Sequence, residues 1–148
     1  MLVQQILKSK AGDGAEGAVV TVAPDASVAE AAALLTRHRI GAVVVSPGEG
    51  RVAGILSERD IVRELARRGG GCLNDRVEAL MTRDITTCTR DEDADAVLTK
   101  MTVGRFRHLP VIDGGRMVGL ISIGDVVKAR LSELSMEKAA LEGMIMGY

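Results

Sequence analysis

The sequence has almost no aromatic residues: one Phe, one Tyr and no Trp among 148 residues. Its core must therefore be aliphatic, and hydrophobic residues make up 47% of the chain. Proteins that hold single-stranded nucleic acid stack bases on aromatic side chains, and duplex-binding proteins carry a basic surface. With a net charge of −1 and so few aromatic residues, we expect no nucleic-acid partner.

Long apolar runs and cysteine motifs are also lacking. No apolar segment reaches the roughly 20 residues of a membrane-spanning helix, and residues 1–8 lack the order of a signal peptide. We therefore expect a cytoplasmic protein without a membrane contact. The two cysteines, Cys72 and Cys88, have no metal-binding or CxxC spacing, so we predict free thiols and no metal site.

One nine-residue pattern occurs twice. Residues 54–62 read GILSERDIV, and residues 119–127 read GLISIGDVV, which is 119 − 54 = 65 residues later. Each copy has Gly, two aliphatic residues, Ser, two variable residues, Asp and two aliphatic residues. A period of this length indicates a tandem pair of similar halves, not a long solenoid.

Each half is predicted to run strand, helix, strand, strand, helix. A helix before the first half is expected near residues 2–8, followed by a loop over residues 11–17. A half of about 60 residues buries too little surface to be comfortable alone. The fold class is therefore α/β (α+β), with two β-α-β-β-α repeats packed by their sheets around a pseudo-two-fold axis. The predicted elements and boundaries are strands at 19–22, 42–45, 52–56, 85–88, 108–112 and 117–121; helices from Ser27, Glu58 and Asp93 and after Ser122; and domains 1–17, 18–70, 71–130 and 131–148.

Two interpretations of Ser57 and Asp60 fit the same geometry. A serine followed three residues later by an acid is a common helix cap. A helix N-terminus also offers free N–H groups to phosphate, and an acid in its first turn can accept bonds from ribose hydroxyls. Recurrence of the pair as Ser122 and Asp125 favours ligand binding. A preceding glycine would let the ligand approach the backbone.

The motifs of both halves resemble the cystathionine β-synthase (CBS) domain, present here as a tandem pair similar to small stand-alone bacterial proteins. The resemblance covers about residues 18–130 and rests on these segments: TVxP at 21–24, GAVVV at 41–45, GILSxxD at 54–60, MT at 81–82, RHLPVID at 107–113 and GLISxxD at 119–125.

The resemblance implies an adenosine ligand in clefts between the repeats: AMP, ATP or NAD(H), with S-adenosylmethionine ranked behind them. Asp60 and Asp125 would bind ribose, and Arg107 and His108 would bind phosphate. The first repeat has Ile40-Gly41 where we align Arg107-His108, so Arg59 is a candidate substitute. The implied ligand-binding residues are Thr21, Val22, Gly41, Ala42, Ser57, Arg59, Asp60, Thr87, Arg107, His108, Leu109, Pro110, Ser122 and Asp125.

The leading hypothesis is a homodimeric adenine-nucleotide sensor without catalytic activity, acting on a protein target in trans. No nucleophile and base lie at an informative spacing, so we predict no catalytic residues. A ligand-free structural dimer or scaffold is the alternative. In the C-terminal tail, Leu131, Leu134, Leu141 and Ile145 recur at helical spacing. That stripe would pack on its own domain or on a second copy.

Overall fold

The computed structural model describes residues 1–11 and 19–145. The predicted loop at 11–17 lies outside this part except for Ala11, which is helical. The elements are α1 Val3–Ala11, β1 Thr21–Val22, α2 Val28–His38, β2 Ala42–Val45, β3 Gly54–Ser57, α3 Glu58–Arg68, a 3₁₀ turn Gly70–Asn74, α4 Val77–Leu80, α5 Ala94–Gly104, β4 His108–Asp113, β5 Arg116–Ser122 and α6 Ile123–Ile145. The predicted order of strands and helices is confirmed, apart from one strand.

The three strands of the first repeat form one sheet. Strand β1 pairs parallel to β2, with Val22 beside Val45, and β2 pairs antiparallel to β3, with Ala42 beside Ser57. Every residue of β2 is buried. Aliphatic side chains from β2, β3, α2, α3 and α4 meet in one cluster, which includes Val28, Val43, Leu56, Ile61 and Val77. The aliphatic core expected from the composition is therefore present.

The predicted strand at residues 85–88 is wrong. Only one isolated bridge remains there, in which Cys88 lies parallel to Val111 and donates to the carbonyl of Pro110 at 3.0 Å. At the matching place in the first repeat, the N–H of Val44 donates to Val20. Pro110 has no N–H to donate, so this ladder lacks a bond and ends after one bridge. Strands β4 and β5 form a separate two-stranded sheet.

Local sequence patterns correctly predicted where two helices begin and where one hairpin turns. Ser27 caps α2 by accepting from the N–H of Glu30 at 3.1 Å, and Asp93 caps α5 by accepting from Ala96 at 2.8 Å. The turn between β4 and β5 has positive φ angles of 59° at Gly114 and 78° at Gly115, as a tight hairpin requires. The caps and the turn predicted at these positions are confirmed.

The described residues fall into two compact units. One contains those of 1–17, 86–111 and 119–148, and the other contains those of 18–85 and 112–118. In the second unit, α4 is joined to the start of α2 because Val77 donates to Ala26 and Val28 donates to Asp75. In the first unit, α1 is joined to the start of α5 in the same way, by Val3 to Glu92 and Ala94 to Met1. Helix α1 is therefore to the second repeat what α4 is to the first.

The two repeated glycines make room for protein, not for a ligand. A Cβ on Gly54 would lie 2.6 Å from the carbonyl oxygen of Thr82 and 2.8 Å from the sulfur of Met81. A Cβ on Gly119 would lie 2.6 Å from a methyl of Leu7. The expectation of a ligand approaching these backbones is wrong, because the segment of α4 covers the first glycine and α1 covers the second.

We predict that Gly54→Ala destabilises the fold by about 1–3 kcal/mol, because the added methyl overpacks against a backbone carbonyl that cannot rotate away. For a chain of this size, each kcal/mol lowers Tm by about 2–4 °C. The matched control is Gly71→Ala, since a Cβ there meets nothing within 4 Å. Thermal unfolding measures both, and equal Tm values for the two variants would contradict the packing role of Gly54.

Candidate ligand-binding site

The pair Ser57 and Asp60 forms a reciprocal capping box where β3 becomes α3. The Ser57 hydroxyl accepts from the N–H of Asp60 at 3.2 Å, and the Asp60 carboxylate accepts from the N–H of Ser57 at 2.9 Å. The Ser57 hydroxyl also donates to the carboxylate at 3.0 Å. The side chain of Asp60 is 12% exposed and faces the guanidinium of Arg63 at 3.6 Å. The cap interpretation of this pair is confirmed.

The pair Ser122 and Asp125 repeats this geometry where β5 becomes α6. The N–H of Ser122 donates to Asp125 Oδ2 at 2.9 Å, and the N–H of Asp125 donates to the Ser122 hydroxyl at 3.1 Å. Both carboxylates are thus oriented at the first turn of a helix, where the N–H groups favour negative charge. The two junctions are the same structural device in the two repeats.

Lys10 distinguishes the second junction from the first, and it was missed in the sequence. Its ammonium donates to Asp125 Oδ2 at 2.8 Å and to the carbonyl of Leu120 at 2.9 Å. In the first repeat, the matching carbonyl of Ile55 accepts from the backbone N–H of Thr82 at 2.8 Å. A side chain of α1 therefore replaces a backbone donor. No sequence signal pointed to Lys10, because 115 residues separate it from Asp125.

The environment of Asp125 holds its carboxyl in the charged form. Burial on its own would raise the pKa of Asp125, but the hydrogen bond and charge of Lys10 and the donors of Ser122 outweigh burial. The pKa of Asp125 therefore lies below the ordinary value of 3.8. A carboxylate in this state accepts hydrogen bonds from hydroxyl groups.

The basic residues near the junctions differ from the sequence alignment by one position. The N–H of Glu58 donates to the carbonyl of Gly41 at 2.9 Å, and the N–H of Ile123 donates to that of Arg107 at 2.8 Å. Gly41 thus corresponds to Arg107, and the alignment of Ile40-Gly41 with Arg107-His108 is wrong. The segment from Arg107 to Ser122 is one residue shorter than the segment from Gly41 to Ser57 (122 − 107 = 15 against 57 − 41 = 16), which causes the shift. Arg107 is exposed and His108 half-buried.

Among the other predicted residues, backbone pairing in the first repeat brings Ala42 to a junction, because it pairs with Ser57. Thr21 and Val22 pair with Val44 and Val45, which lie further along the strand of Ala42. In the second, Leu109 and Pro110 are buried in β4, and the carbonyl of Thr87 accepts from Lys100 at 3.0 Å. Arg59 is exposed, and the cation beside Asp60 is Arg63.

Two cavities lie next to the junctions. One of about 410 Å³ opens between α2 and α3 and includes Gly41 and Glu58 in its wall. The other, of about 320 Å³, lies between α1 and α6. Its wall carries Lys10, Asp125, Lys128, Ser9 and Ser132. Each repeat therefore has a space beside the first turn of its last helix that could admit a small polar molecule.

The described part of the chain was compared with the requirements of a metal site, a membrane span and a reactive thiol. It contains no group of three His, Cys, Asp or Glu residues that could hold a metal, and none of its helices is long and apolar enough to cross a membrane. Both cysteines are free, as predicted, and both are buried. Burial and the charge of Glu92 raise the pKa of Cys88 to about 11. That thiol is therefore protonated near neutral pH and a poor nucleophile.

Fold and junctions together define a tandem α/β repeat protein with a serine–aspartate capping box in each repeat. The sequence model of the CBS domain matches residues 17–67 and 77–132. The chain therefore belongs to the CBS domain family and carries two copies of the domain, and the predicted resemblance is confirmed.

Relatives and solved structures point to the same family. The CBS domain-containing protein CBSX3, mitochondrial, of Arabidopsis thaliana is 36% identical over 98% of this chain and 72% of its own length. The crystal structure of a CBS-domain containing protein from Agrobacterium tumefaciens is 45% identical, with a TM-score of 0.81 over 88% of this chain and 99% of that one. The mixed α/β fold class is confirmed by this match.

Two further solved structures contain adenosine compounds. A CBS domain protein from Pyrobaculum aerophilum complexed with AMP is 26% identical, with a TM-score of 0.75 over 92% of this chain and 99% of that one. The CBS domain pair of protein MJ0100, in complex with 5′-methylthioadenosine and S-adenosyl-L-methionine, is 28% identical, with a TM-score of 0.76 over 90% and 98%.

We predict that Lys10→Met raises the pKa of Asp125, because the variant loses the hydrogen bond and the positive charge with which Lys10 lowers it. A carboxyl with a lowered pKa stabilises the fold above its unfolded value near 3.8, and that stability is lost as pH falls through the folded pKa. The variant should therefore unfold at a higher pH on acidification. An NMR titration of the carboxyl carbon measures the pKa.

The matched control for that titration is Lys8→Met, which removes an exposed lysine from the same helix. Both variants lose one positive charge, so a general charge effect would move the pKa of Asp125 equally in the two. An equal shift would contradict the specific contact between Lys10 and Asp125.

Proposed function

We propose that this protein is a regulatory module that binds an adenine nucleotide at its serine–aspartate junctions and senses it without catalysis. The observation that carries the proposal is the recurrence of one oriented carboxylate, Asp60 and Asp125, at the same point of both repeats. Solved members of the family hold AMP, or 5′-methylthioadenosine and S-adenosyl-L-methionine. AMP, ATP and NAD(H) are the candidate ligands for this chain, with S-adenosylmethionine behind them.

The chemistry of the junctions suits the ribose and phosphate of such a ligand. A carboxylate accepts hydrogen bonds from the two hydroxyls of ribose, and Asp60 and Asp125 supply one in each repeat. The first turns of α3 and α6 have N–H groups that favour phosphate. Arg107, whose carbonyl accepts from the first residue of α6, adds an exposed guanidinium for bidentate contact with phosphate.

The two junctions should differ in affinity. Asp60 faces the cation of Arg63 at 3.6 Å, whereas Asp125 is bonded to Lys10 at 2.8 Å. A hydroxyl donor must share the Asp125 carboxylate with this lysine, although the same lysine adds positive charge for a phosphate. Arg107 and His108 have Gly41 and Ala42 as counterparts in the first repeat, so phosphate contacts favour the Asp125 junction. We propose Asp125 as the stronger site for a phosphorylated ligand.

The remaining parts of the proposal concern partners and place. The protein would act in the cytoplasm as a homodimer on a protein target in trans, and binding would change its affinity for that target reciprocally. The high pKa of Cys88 argues against that thiol as a catalytic nucleophile. A ligand-free scaffold is the second candidate, and it is favoured by the capping boxes, which already give both carboxylates hydrogen-bond partners.

We expect AMP, ATP or NAD(H) to raise the Tm, since a ligand at 100 times its Kd stabilises the folded state by about 2.7 kcal/mol. A thermal-shift panel of these ligands with S-adenosylmethionine measures the effect. Asp125→Ala should remove the stronger site and Asp60→Ala the weaker one, as counted by calorimetric titration. If no ligand in the panel shifts the Tm, the scaffold replaces the sensor.

A control must separate ligand loss from loss of a helix cap, because both aspartates cap helices. Asp93→Ala removes the cap of α5 and lies outside the predicted ligand-binding residues. It should destabilise the free protein by about 1 kcal/mol, as loss of the cap does in Asp60→Ala and Asp125→Ala, and so lower its Tm. The number of bound ligands should stay unchanged. If it removes a site as Asp125→Ala does, the aspartates act through folding alone.

A further inference from the structure

Helix α6 carries a regular stripe that its own unit does not cover. The stripe consists of residues spaced by 4, 3, 4, 3 and 4 positions, and we call it the α6 seam. Its apolar members are 46% to 84% exposed. The α6 seam is made of Val127, Leu131, Leu134, Lys138, Leu141 and Ile145.

The α6 seam faces away from the body of its unit. The two buried residues of α6 are Val126 and Ala129. At 3.6 residues per turn, Ala129 lies about 200° around the helix from both Val127 and Leu131. Val126 lies about 100° from Val127, so the helix packs on its unit through one face and presents the seam on a separate, exposed face. Of the two interpretations of the tail in the sequence, packing of this stripe on its own domain is wrong for the described residues.

Alternating steps of three and four residues give a period of 3.5, which is the pattern of two helices packed along a seam. A strand or a flat surface would not select this period. Val127, Leu134 and Leu141 take one seam position of the heptad, and Leu131, Lys138 and Ile145 take the other. The partner that this pattern fits is another helix with the same period, and a second α6 has it.

Parallel pairing of two α6 helices is disfavoured by charge. In a parallel pair each seam residue meets its own copy, so Lys138 would face the partner's Lys138 in one layer. Among the residues that flank the seam, Glu137 of each chain would lie beside the partner's Glu142, which makes two further contacts between like charges. Three like-charge contacts oppose this arrangement.

Antiparallel pairing removes these conflicts. Residues whose numbers add up to 272 then face each other: Val127 meets the partner's Ile145, Leu131 meets the partner's Leu141, and Leu134 meets the partner's Lys138. Each Lys138 packs its methylene stem on a leucine and extends its charge to solvent. Beside the seam, Lys128 of each chain lies next to the partner's Glu142, which gives two contacts between opposite charges. The two Glu137 residues form one contact between like charges. Opposite charges therefore outnumber like charges.

We propose that the α6 seam is the contact between two copies of this chain, with the two helices antiparallel about a two-fold axis. Such an interface is isologous and closed, so assembly stops at the dimer. This inference rests on the homodimer of the proposed function and adds its surface and its orientation. It needs no ligand.

Leu141→Glu tests the surface. Each dimer would lose two leucines from the seam and bury charge, so the Kd for dimerisation should rise by at least about tenfold. The matched control is Met136→Glu, since Met136 is 59% exposed on the same helix but lies off the seam. Sedimentation equilibrium of the full chain measures both. Equal Kd values for wild type, Leu141→Glu and Met136→Glu would overturn the α6 seam as the interface.

Cysteine crosslinking tests the orientation. A mixture of Leu131→Cys and Leu141→Cys chains should form the mixed disulfide on oxidation, because antiparallel pairing places these two positions opposite each other. Parallel pairing would instead crosslink each variant to itself. The native Cys72 and Cys88 are buried and serve as the background in wild type. Crosslinking of Leu131→Cys alone, without mixed product, would overturn the antiparallel arrangement.

The outcomes separate this inference from the proposed function. A wild-type chain that sediments as a monomer refutes both the homodimer and the α6 seam. A dimer that survives Leu141→Glu keeps the homodimer and refutes the seam. If the Leu141→Glu variant no longer dimerises but still binds nucleotide, the result supports the seam and leaves the sensor intact.

Discussion

Reciprocal hydrogen bonding between a serine and an aspartate three residues later holds each repeat at its strand-to-helix junction. The backbone N–H of each residue donates to the other's side chain, at 2.9 and 3.2 Å in the first repeat and at 2.9 and 3.1 Å in the second. Two otherwise unpaired donors at a helix N-terminus are satisfied in this way. The same bonds fix the direction of the carboxylate, so one interaction serves both the fold and a candidate binding site.

Helix α1 breaks the symmetry of the two repeats. It docks on the second repeat by the contacts that α4 makes with the first, and Leu7 covers Gly119 as Met81 covers Gly54. After that point the two segments differ. The chain at Thr82 continues as an extended segment paired with Ile55, whereas α1 stays helical and reaches Leu120 and Asp125 with Lys10. The two junctions thus have the same geometry but different charges beside them.

Much of the fold could be predicted because its signals are local. The caps at Ser27 and Asp93, the hairpin glycines and the 65-residue repeat each depend on a few neighbouring residues, and each is confirmed. The strand at 85–88 failed because a strand depends on its partner, and Pro110 has no N–H to pair with it. The alignment of Arg107 failed by one residue because a shorter turn between two strands leaves no mark in the helix pattern.

By itself, the sequence determined the family, the order of elements and the two serine–aspartate pairs, since each is written in residue types at short, fixed spacings. Only the tertiary structure decided that Lys10 neutralises Asp125, that protein fills the space beside Gly54 and Gly119, and that the stripe on α6 is exposed. These facts depend on which distant segments share a surface. No spacing along the chain encodes a contact across 115 residues, because such a contact forms only after the intervening elements have packed.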